Sequence, residues 1–354
     1  MLGNGTGRCV ALEEARRLRM DIRKLLKPGE FVLGLDIGGT KMLAAVFDHE
    51  FRVVAQAKKK SKTGGESDVN ASAEQRVIGV ITEAIQAAGA PPVRGIGVGS
   101  PGPLDPATGI IIDTPNLGWK NFPLAERLRE KFGVPVLVDN DVNVGTYGEW
   151  RFGKVSDCRH VVGIFPGTGI GGGIIVDGKM LHGFSGAAGE VGHMTVEPGG
   201  PFCGCGKRGC LEAVASRIAI AKEVAALAAR EDAPYIKQKC GTDLSAIRSG
   251  VIAKAIQNGE KMVESVVRKA AYYIGIAAGN LINILSPEAV VIGGGLVEAM
   301  PDLYLEEVKR GIADHAMPFL RKGVRVQVAA LGDLAVAMGG ACMIAERIAE
   351  MRKD

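Results

Sequence analysis

The stretch "EVGHMTVEPGGPFCGCGKRGCLE", residues 190–212, holds three of the chain's seven cysteines within eight positions, and a histidine lies ten residues ahead of the first. His193, Cys203, Cys205 and Cys210 follow the spacing H-x9-C-x-C-x4-C. Gly204, Gly206 and Gly209 allow the chain to bend several sulfurs toward one point. One imidazole and three thiolates complete a tetrahedral set for zinc, and a site with no open position for water is structural. Buried or reactive thiols, or a disulfide, are the competing readings. A reducing compartment disfavours the disulfide, and the number and spacing of the ligands favour the metal. Glu190 stands three residues before His193, on the same face if the segment is helical, and Glu212 stands two residues after Cys210. A metal on one ring nitrogen of His193 leaves the other to a substrate hydroxyl. Carboxylates that accept paired hydroxyl hydrogen bonds discriminate well among polyols. The loop therefore reads as a metal-braced support that presents Glu190, His193 and Glu212 to a polyhydroxylated ligand.

"VLVDNDVNVG" leaves a buried strand and delivers Asn140 and Asp141 at its carboxyl end, where open α/β sheets bind ligands. Asp141 could be no more than a helix N-cap. As a general base it faces a weak acid: a sugar hydroxyl is comparable to water, at about 15.7, and a carboxylate sits near ~3.9. It would orient the hydroxyl and accept its proton late, as in loose phosphoryl transfer.

"DIGGTK" (36–41) and "PGTGIGG" (166–172) match neither the P-loop spacing nor the dinucleotide fingerprint, because a strand follows the glycines in place of a helix. Hairpin turns without Cβ atoms let backbone N–H groups reach anionic oxygens, and Thr40 and Thr168 add hydroxyl donors. Asp36 is placed to orient Mg²⁺ or its water shell. A third run, Gly293–Gly295 after a buried strand, offers flat backbone to an adenine or ribose. A single glycine turn means little. Two alike plus a third predict a nucleotide polyphosphate site.

These groups need a scaffold of strands and helices. "FVLGLDIGGTKMLAAVFD" and "FRVVAQAKKKS" predict three strands from Phe31 onward, and a helix is expected over 71–89. "VRGIGVGSPGPLD" predicts a strand ending in a Gly/Pro loop, "LAERLREKFG" a helix, "VPVLVDN" a strand, with a helix from Asp141. The opening theme then returns in "HVVGIFPGTGIGGGIIVDGKML", 160–181, which closes on an Asp-Gly hairpin. A long helix from about Met262 leads into the strand of "SPEAVVIGGGL". The repeat predicts an internal duplication. Expected domains are an N-terminal helical extension over 1–30, a small α/β domain over 31–142 plus 333–354, and a large α/β domain over 143–332 carrying the zinc site. In the extension, Leu12, Ala15, Leu18, Ile22 and Leu25 fall at helical spacing. Residues 230–250 are expected to be surface loop with short helices.

At 354 residues, the chain is long enough for two full cores, and a net charge of +4 does not argue for a nucleic-acid partner. No secretory leader is apparent, and the run 270–285 is too short to span a bilayer, so cytoplasmic residence without membrane contact is expected. The fifty glycines suggest backbone lying close to a ligand.

With "LDIGGTK", "GVGSPGPLD", "PNLGW", "VDNDVN", "GTGIGGGII", "GEVGH", "CGCGKRGCLE" and "VVIGGG" in this order, residues 31–350 resemble the ROK family of sugar kinases and repressors. The resemblance implies two duplicated RNase H-like domains of the actin-like ATPase fold, with a cleft between them. It implies an ATP-dependent hexokinase acting on the 6-hydroxyl, most simply of glucose, with Asp141 as base. Gly102, Asn116, Asn140, Glu190, His193 and Glu212 would contact the sugar. Asp36, Gly38, Gly39, Thr40, Lys41, Gly167, Thr168, Gly169, Gly171, Gly293, Gly294 and Gly295 would hold ATP with Mg²⁺, and His193 with the three cysteines would hold zinc. The usual assembly is a homodimer. Two departures stand out: Val142 replaces a common alanine, and "EAVASRIA" lacks the Ser-Gly that often follows the glutamate, leaving the sugar open among glucose, mannose, fructose and acetylated amino sugars. Polyphosphate remains an alternative donor. A sugar-responsive repressor would need a winged helix-turn-helix, which thirty residues before the first strand do not supply. A chaperone-like or filament-forming ATPase would not need the metal-held loop.

Overall fold

The computed structural model describes residues 21–61, 69–114 and 117–353. In chain order these form β1 (Phe31–Ile37), β2 (Lys41–Phe47), β3 (Val53–Lys60), α1 (Val69–Ala87), β4 (Val93–Ser100), β5 (Leu104–Asp105), β6 (Ile110–Thr114), β7 (Trp119–Phe122), α2 (Leu124–Phe132), β8 (Val136–Asn140) and α3 (Asp141–Phe152). There follow β9 (Val161–Pro166), β10 (Ile170–Val176), β11 (Lys179–Met180), α4 (Leu211–Ala215), α5 (Arg217–Ala229), α6 (Pro234–Cys240), α7 (Ser249–Gln257) and α8 (Lys261–Leu285). The chain continues through β12 (Ala289–Ile292), α9 (Gly295–Ala299), α10 (Pro301–His315), α11 (Pro318–Arg321), β13 (Arg325–Val328) and α12 (Ala335–Met351).

The duplication is visible in the strand order. One sheet runs β3-β2-β1-β4-β8 and the other β11-β10-β9-β12-β13, so the first, second and third strands of each half form a meander and the fourth and fifth are added beyond the first. In the first sheet β1, β4 and β8 are mutually parallel, and in the second β9, β12 and β13 are. Asp177 and Gly178 close the β10–β11 hairpin with φ of +52° and +71°, the left-handed pair that an Asp-Gly turn of this kind requires.

The chain divides into two compact units, residues 1–159, 175–188 and 333–354 against 160–174 and 189–332. The first unit thus runs past the break anticipated at 142: it holds all of α3 and the β11 hairpin, and it also holds 333–354. Its core gathers Leu33, Leu35, Ile37, Val98 and Val138 from the sheet with Val77 and Ile81 of α1. The second unit builds its core around α8, where Val267, Ala271, Ile274 and Ala278 meet Val290 and Ile292 of β12.

Several expectations change. Between the expected Gly/Pro loop and α2, where no element was anticipated, β5, β6 and β7 form a separate three-stranded sheet, anchored by the fully buried Trp119 stacked on Phe122. Of the amphipathic helix expected near the start, only the end falls within the described residues. There Asp21 caps a three-residue 3-10 turn, Ile22–Lys24, and Leu25 and Leu26 are buried.

Many of the glycines serve packing, not ligand approach. A Cβ on Gly34 of β1 would lie 1.8 Å from the Ala337 carbonyl oxygen, and one on Gly97 of β4 would lie 1.9 Å from that of Gly340. On the facing helix, a Cβ on Gly339 would lie 1.9 Å from the Val144 carbonyl oxygen, and one on Gly148 would lie 2.2 Å from that of Ala335. Helix α12 therefore touches β1, β4 and α3 backbone to backbone. Because the obstructing atoms are main chain, a methyl group cannot be accommodated by a rotamer change. Gly97→Ala is expected to destabilise the protein by about 3 kcal/mol in urea titrations. Gly145→Ala, whose nearest foreign atom would be 3.4 Å away, should shift stability by less than ~1 kcal/mol.

Candidate functional site

In the first unit, parallel pairing brings the carboxyl ends of β1, β4 and β8 to one edge of the sheet. Asp36 lies at the end of β1. At the end of β8, Asn140 is the N-cap of α3, its side-chain oxygen accepting from the Val142 and Asn143 amides at 2.9 and 3.3 Å. The cap is therefore Asn140, and Asp141 is the first helical residue, half-buried. Burial, then the neighbouring charge of Asp141, pushes the Asp36 carboxyl up to about 7, and Lys41 opposes the rise. The like charge of Asp141 opposes ionisation of Asp36, an opposition that a bound cation would relieve. A Cβ on Gly102 would lie 3.7 Å from the Asn140 side-chain nitrogen, so these two residues are adjacent. Asn116 lies outside the described residues.

The β1–β2 turn is held by the Gly38 amide donating to the Lys41 carbonyl at 3.0 Å, and by Ser61, whose amide donates to Thr40 and whose hydroxyl donates to Gly38. Lys41 donates to both carboxylate oxygens of Asp333 at 2.7 Å, with Lys58 at 3.4 Å from one of them. The Lys41 hydrogen bond holds Asp333 below the usual carboxylate range. Both Lys41 and Asp333 side chains are about half exposed, at 51% and 52%. An ion pair of that kind stabilises by roughly 0–1 kcal/mol.

Asp139, buried, anchors the residue before Asn140. One oxygen accepts from the Asn140 amide at 2.7 Å and from the Asn143 side chain at 3.2 Å; the other meets His182 Nε2 at 2.7 Å. That last hydrogen bond raises the His182 imidazole above its ordinary value.

In the second unit, the β9–β10 turn is closed by the Gly167 amide donating to Gly169 at 2.8 Å. Gly294 (φ +86°) packs against it, since a Cβ there would lie 2.7 Å from the Pro166 carbonyl oxygen. The turn at 167–172 and the run at 293–295 are thus brought together. Glu190 precedes a 3-10 turn, Val191–His193, whose three-residue period aligns Glu190 with His193; Oε2 and Nε2 are 3.8 Å apart.

His193, Cys203, Cys205 and Cys210 present ligand atoms all within 4.8 Å of one another. The Cys203 sulfur is 3.6 Å from His193 Nδ1, and the Cys205 and Cys210 sulfurs are 3.7 Å apart. Tetrahedral zinc, with bonds near 2.3 Å to sulfur and 2.0–2.1 Å to nitrogen, gives edges of about 3.8 and 3.5 Å, so the residues fit that ion. Desolvation pushes the Cys210 thiol up to about 12 and raises Cys203, whereas the Lys207 backbone hydrogen bond lowers Cys205. Three thiolates here need a cation to coexist. Nδ1 faces the sulfurs, leaving Nε2 on the Glu190 side.

Glu212 does more than its spacing suggested. One carboxylate oxygen accepts from the Ile170 amide at 2.9 Å, and the other faces the Cys203 sulfur at 3.8 Å. A Cβ on Gly169 would come within 2.2 Å of it, so this glycine leaves room for the carboxylate. Sequence reasoning missed Asp333, His182 and Arg217, whose side chain donates to Thr168 at 3.2 Å. Of these, only Arg217 left a trace, as the departure from Ser-Gly.

The sequence profile of the ROK family matches residues 32–347. The chain belongs to the ROK family. Its fold is that of the ROK glucokinases, the actin-like ATPase fold: a ROK glucokinase from Streptomyces griseus, solved with glucose and AMPPNP, superposes with a TM-score of 0.77 at 29% identity, covering 88% of this chain and 98% of that one. A glucokinase of Halalkalibacterium halodurans is 38% identical over 73% of this chain and 78% of its own length. The family also includes regulators: the xylose repressor of Caldicellulosiruptor bescii is 34% identical over 71% of this chain, which spans 62% of that protein.

The raised Asp36 carboxyl has a consequence for stability. Its folded value of about 7 lies above the ordinary 3.8 of a free aspartate, so folding takes up a proton between these limits, and stability falls as pH rises through that window. Asp36→Asn is expected to stabilise the ligand-free protein most above pH 7, with the gain shrinking toward pH 4 in urea titrations.

Proposed function

We propose that the protein is an ATP-dependent hexokinase that phosphorylates the 6-hydroxyl of glucose. The observation that carries this reading is the carboxylate pair at one sheet edge, Asp36 lifted to about 7 beside a half-buried Asp141 at the start of α3. A general base and a cation-orienting acid are the two groups phosphoryl transfer needs there. Glucokinase relatives and the glucose- and AMPPNP-bound neighbour support glucose and ATP as the substrates.

In this reading Asp141 orients the 6-hydroxyl and takes its proton as the bond to the γ-phosphorus forms and the bond from that phosphorus to the departing ADP oxygen breaks. Asp36 would hold Mg²⁺, which would neutralise the charge of the phosphates. The turns at Gly38–Lys41 and Gly167–Gly172 hold the phosphates, with Lys41 moving from Asp333 to the nucleotide, and Gly293–Gly295 lies along the nucleoside. Gly102, Asn116, Asn140, Glu190, His193 Nε2 and Glu212 Oε1 form the sugar contacts. His193 Nδ1 and the three cysteine sulfurs hold a structural zinc, which fixes the loop without taking part in the chemistry. The working form is a homodimer in the cytoplasm; no helix among the described residues is long and apolar enough to cross a membrane.

A coupled ADP assay across glucose, mannose, fructose, N-acetylmannosamine and N-acetylglucosamine should give the highest kcat/KM with glucose. Turnover with none of them, together with a gel shift on operator DNA, would instead favour a regulator like the xylose repressor. Asp141→Asn should bind glucose nearly normally and lose turnover by at least ~10²-fold; near-normal turnover removes Asp141 from its role. Metal analysis of the pure protein should give one zinc per chain. Cys205→Ser should lose that zinc and unfold at lower temperature, because a site formed only in the folded chain contributes its binding energy to folding.

A further inference from the structure

The segment after the cysteine loop grips the β9–β10 turn at three points. Glu212 accepts from the Ile170 amide at 2.9 Å, the Arg217 amide donates to the Gly167 carbonyl at 2.9 Å, and the Arg217 guanidinium donates to Thr168 Oγ1 at 3.2 Å. The third contact is chemically lopsided, since it sets a full positive charge against a neutral hydroxyl. Arg159, Arg268 and Arg310, by contrast, each lie 2.9 Å or less from a carboxylate oxygen. Among the described residues Arg217 pairs with no acidic group. A guanidinium carries five N–H donors in a planar fork, and one donated to Thr168 leaves the rest of the fork to engage a ligand. That fork matches the spacing of phosphate oxygens and binds them bidentately.

Arg217 follows Ser216 at the position where the Ser-Gly that often follows the glutamate would put a glycine. Glycine there offers no side chain to the turn.

We propose that Arg217 is a phosphate ligand for the donor, bridging the Thr168 hydroxyl and the non-bridging oxygens of the polyphosphate lying on the β9–β10 turn. The proposal rests on reading that turn as a phosphate-binding segment. Its ligand class is the polyphosphate moiety itself, whether carried by a nucleotide or free as an inorganic chain. The Glu212 carboxylate, which accepts from the Ile170 amide, and the Arg217 main-chain amide, which donates to the Gly167 carbonyl, keep the turn in shape whether or not the guanidinium is present, so removing the charge should weaken phosphate binding without collapsing the turn.

The test compares wild type, Arg217→Gln and Arg217→Lys. Calorimetry with inorganic tripolyphosphate and Mg²⁺ reads phosphate binding independently of turnover. Steady-state kinetics read KM for ATP and for glucose separately, and thermal melting reads structure. Arg217→Gln should weaken tripolyphosphate binding and raise KM for ATP at least about tenfold, as expected for loss of a charge-assisted bidentate contact. KM for glucose and the melting temperature should stay near wild type, and Arg217→Lys should recover part of the loss, as a point charge does without the fork. Unchanged tripolyphosphate affinity and ATP KM in Arg217→Gln overturn the proposal, as does a lowered melting temperature with no change in either. If wild type turns over no hexose yet binds tripolyphosphate in an Arg217-dependent way, the kinase reading fails and this one stands. Hexose turnover by a wild type that binds no tripolyphosphate overturns this one alone.

Discussion

The contact on which the first unit depends is main chain against main chain. Helix α12 meets β1 at Gly34, β4 at Gly97 and α3 at Gly148 and Gly339, with carbonyl oxygens standing where side chains would otherwise be. Ordinary helix–sheet packing keeps a layer of side chains between the elements, which can adjust when one of them changes. Here nothing adjusts. The same helix bears on the strand that ends in Asp36 and on the helix that begins with Asp141, so the separation of the two carboxylates is fixed by close-packed backbone. Side-chain ties add to it: Arg151 and Tyr147 of α3 both contact Glu346 of α12, the former at 2.9 Å.

The second unit solves a similar problem with polar groups. The cysteine loop has few apolar residues with which to hold itself; Gly209, with φ of +71°, passes so close to the Glu197 carbonyl that only glycine fits. The four ligand atoms and the Glu212 carboxylate link this loop to the β9–β10 turn. Bracing at one place is thereby felt at the other. Glu212 belongs to two neighbourhoods at once, which its position two residues after a cysteine did not suggest.

Much of this was legible in the sequence because it is local. Apolar runs flanking glycine turns gave β1–β2 and β9–β10, the strand-end motif placed Asp141, and ligand spacing marked the cysteine cluster. What escaped was nonlocal or masked by composition. Lys41 and Asp333 are 292 positions apart, and no pattern in "LGDLAVAMGG" announces the pairing. The β5-β6-β7 sheet hides in a Gly- and Pro-rich stretch because its strands are short and its order depends on burying Trp119. Glycines that suggested ligand approach turned out in part to admit a helix, and a sequence does not distinguish a glycine left open for a ligand from one closed by its own chain.

The same helix also sets the order in which the molecule can be completed. β1 and β4 come early in the sequence, yet part of the surface they offer is covered by residues 335–351. At 5–20 residues per second, roughly 15–60 s of synthesis separate the two. During that interval an apolar sheet face stays open, while residues 189–332, an uninterrupted stretch, can already close on themselves. The unit whose strands come first in the sequence is therefore the last to be finished.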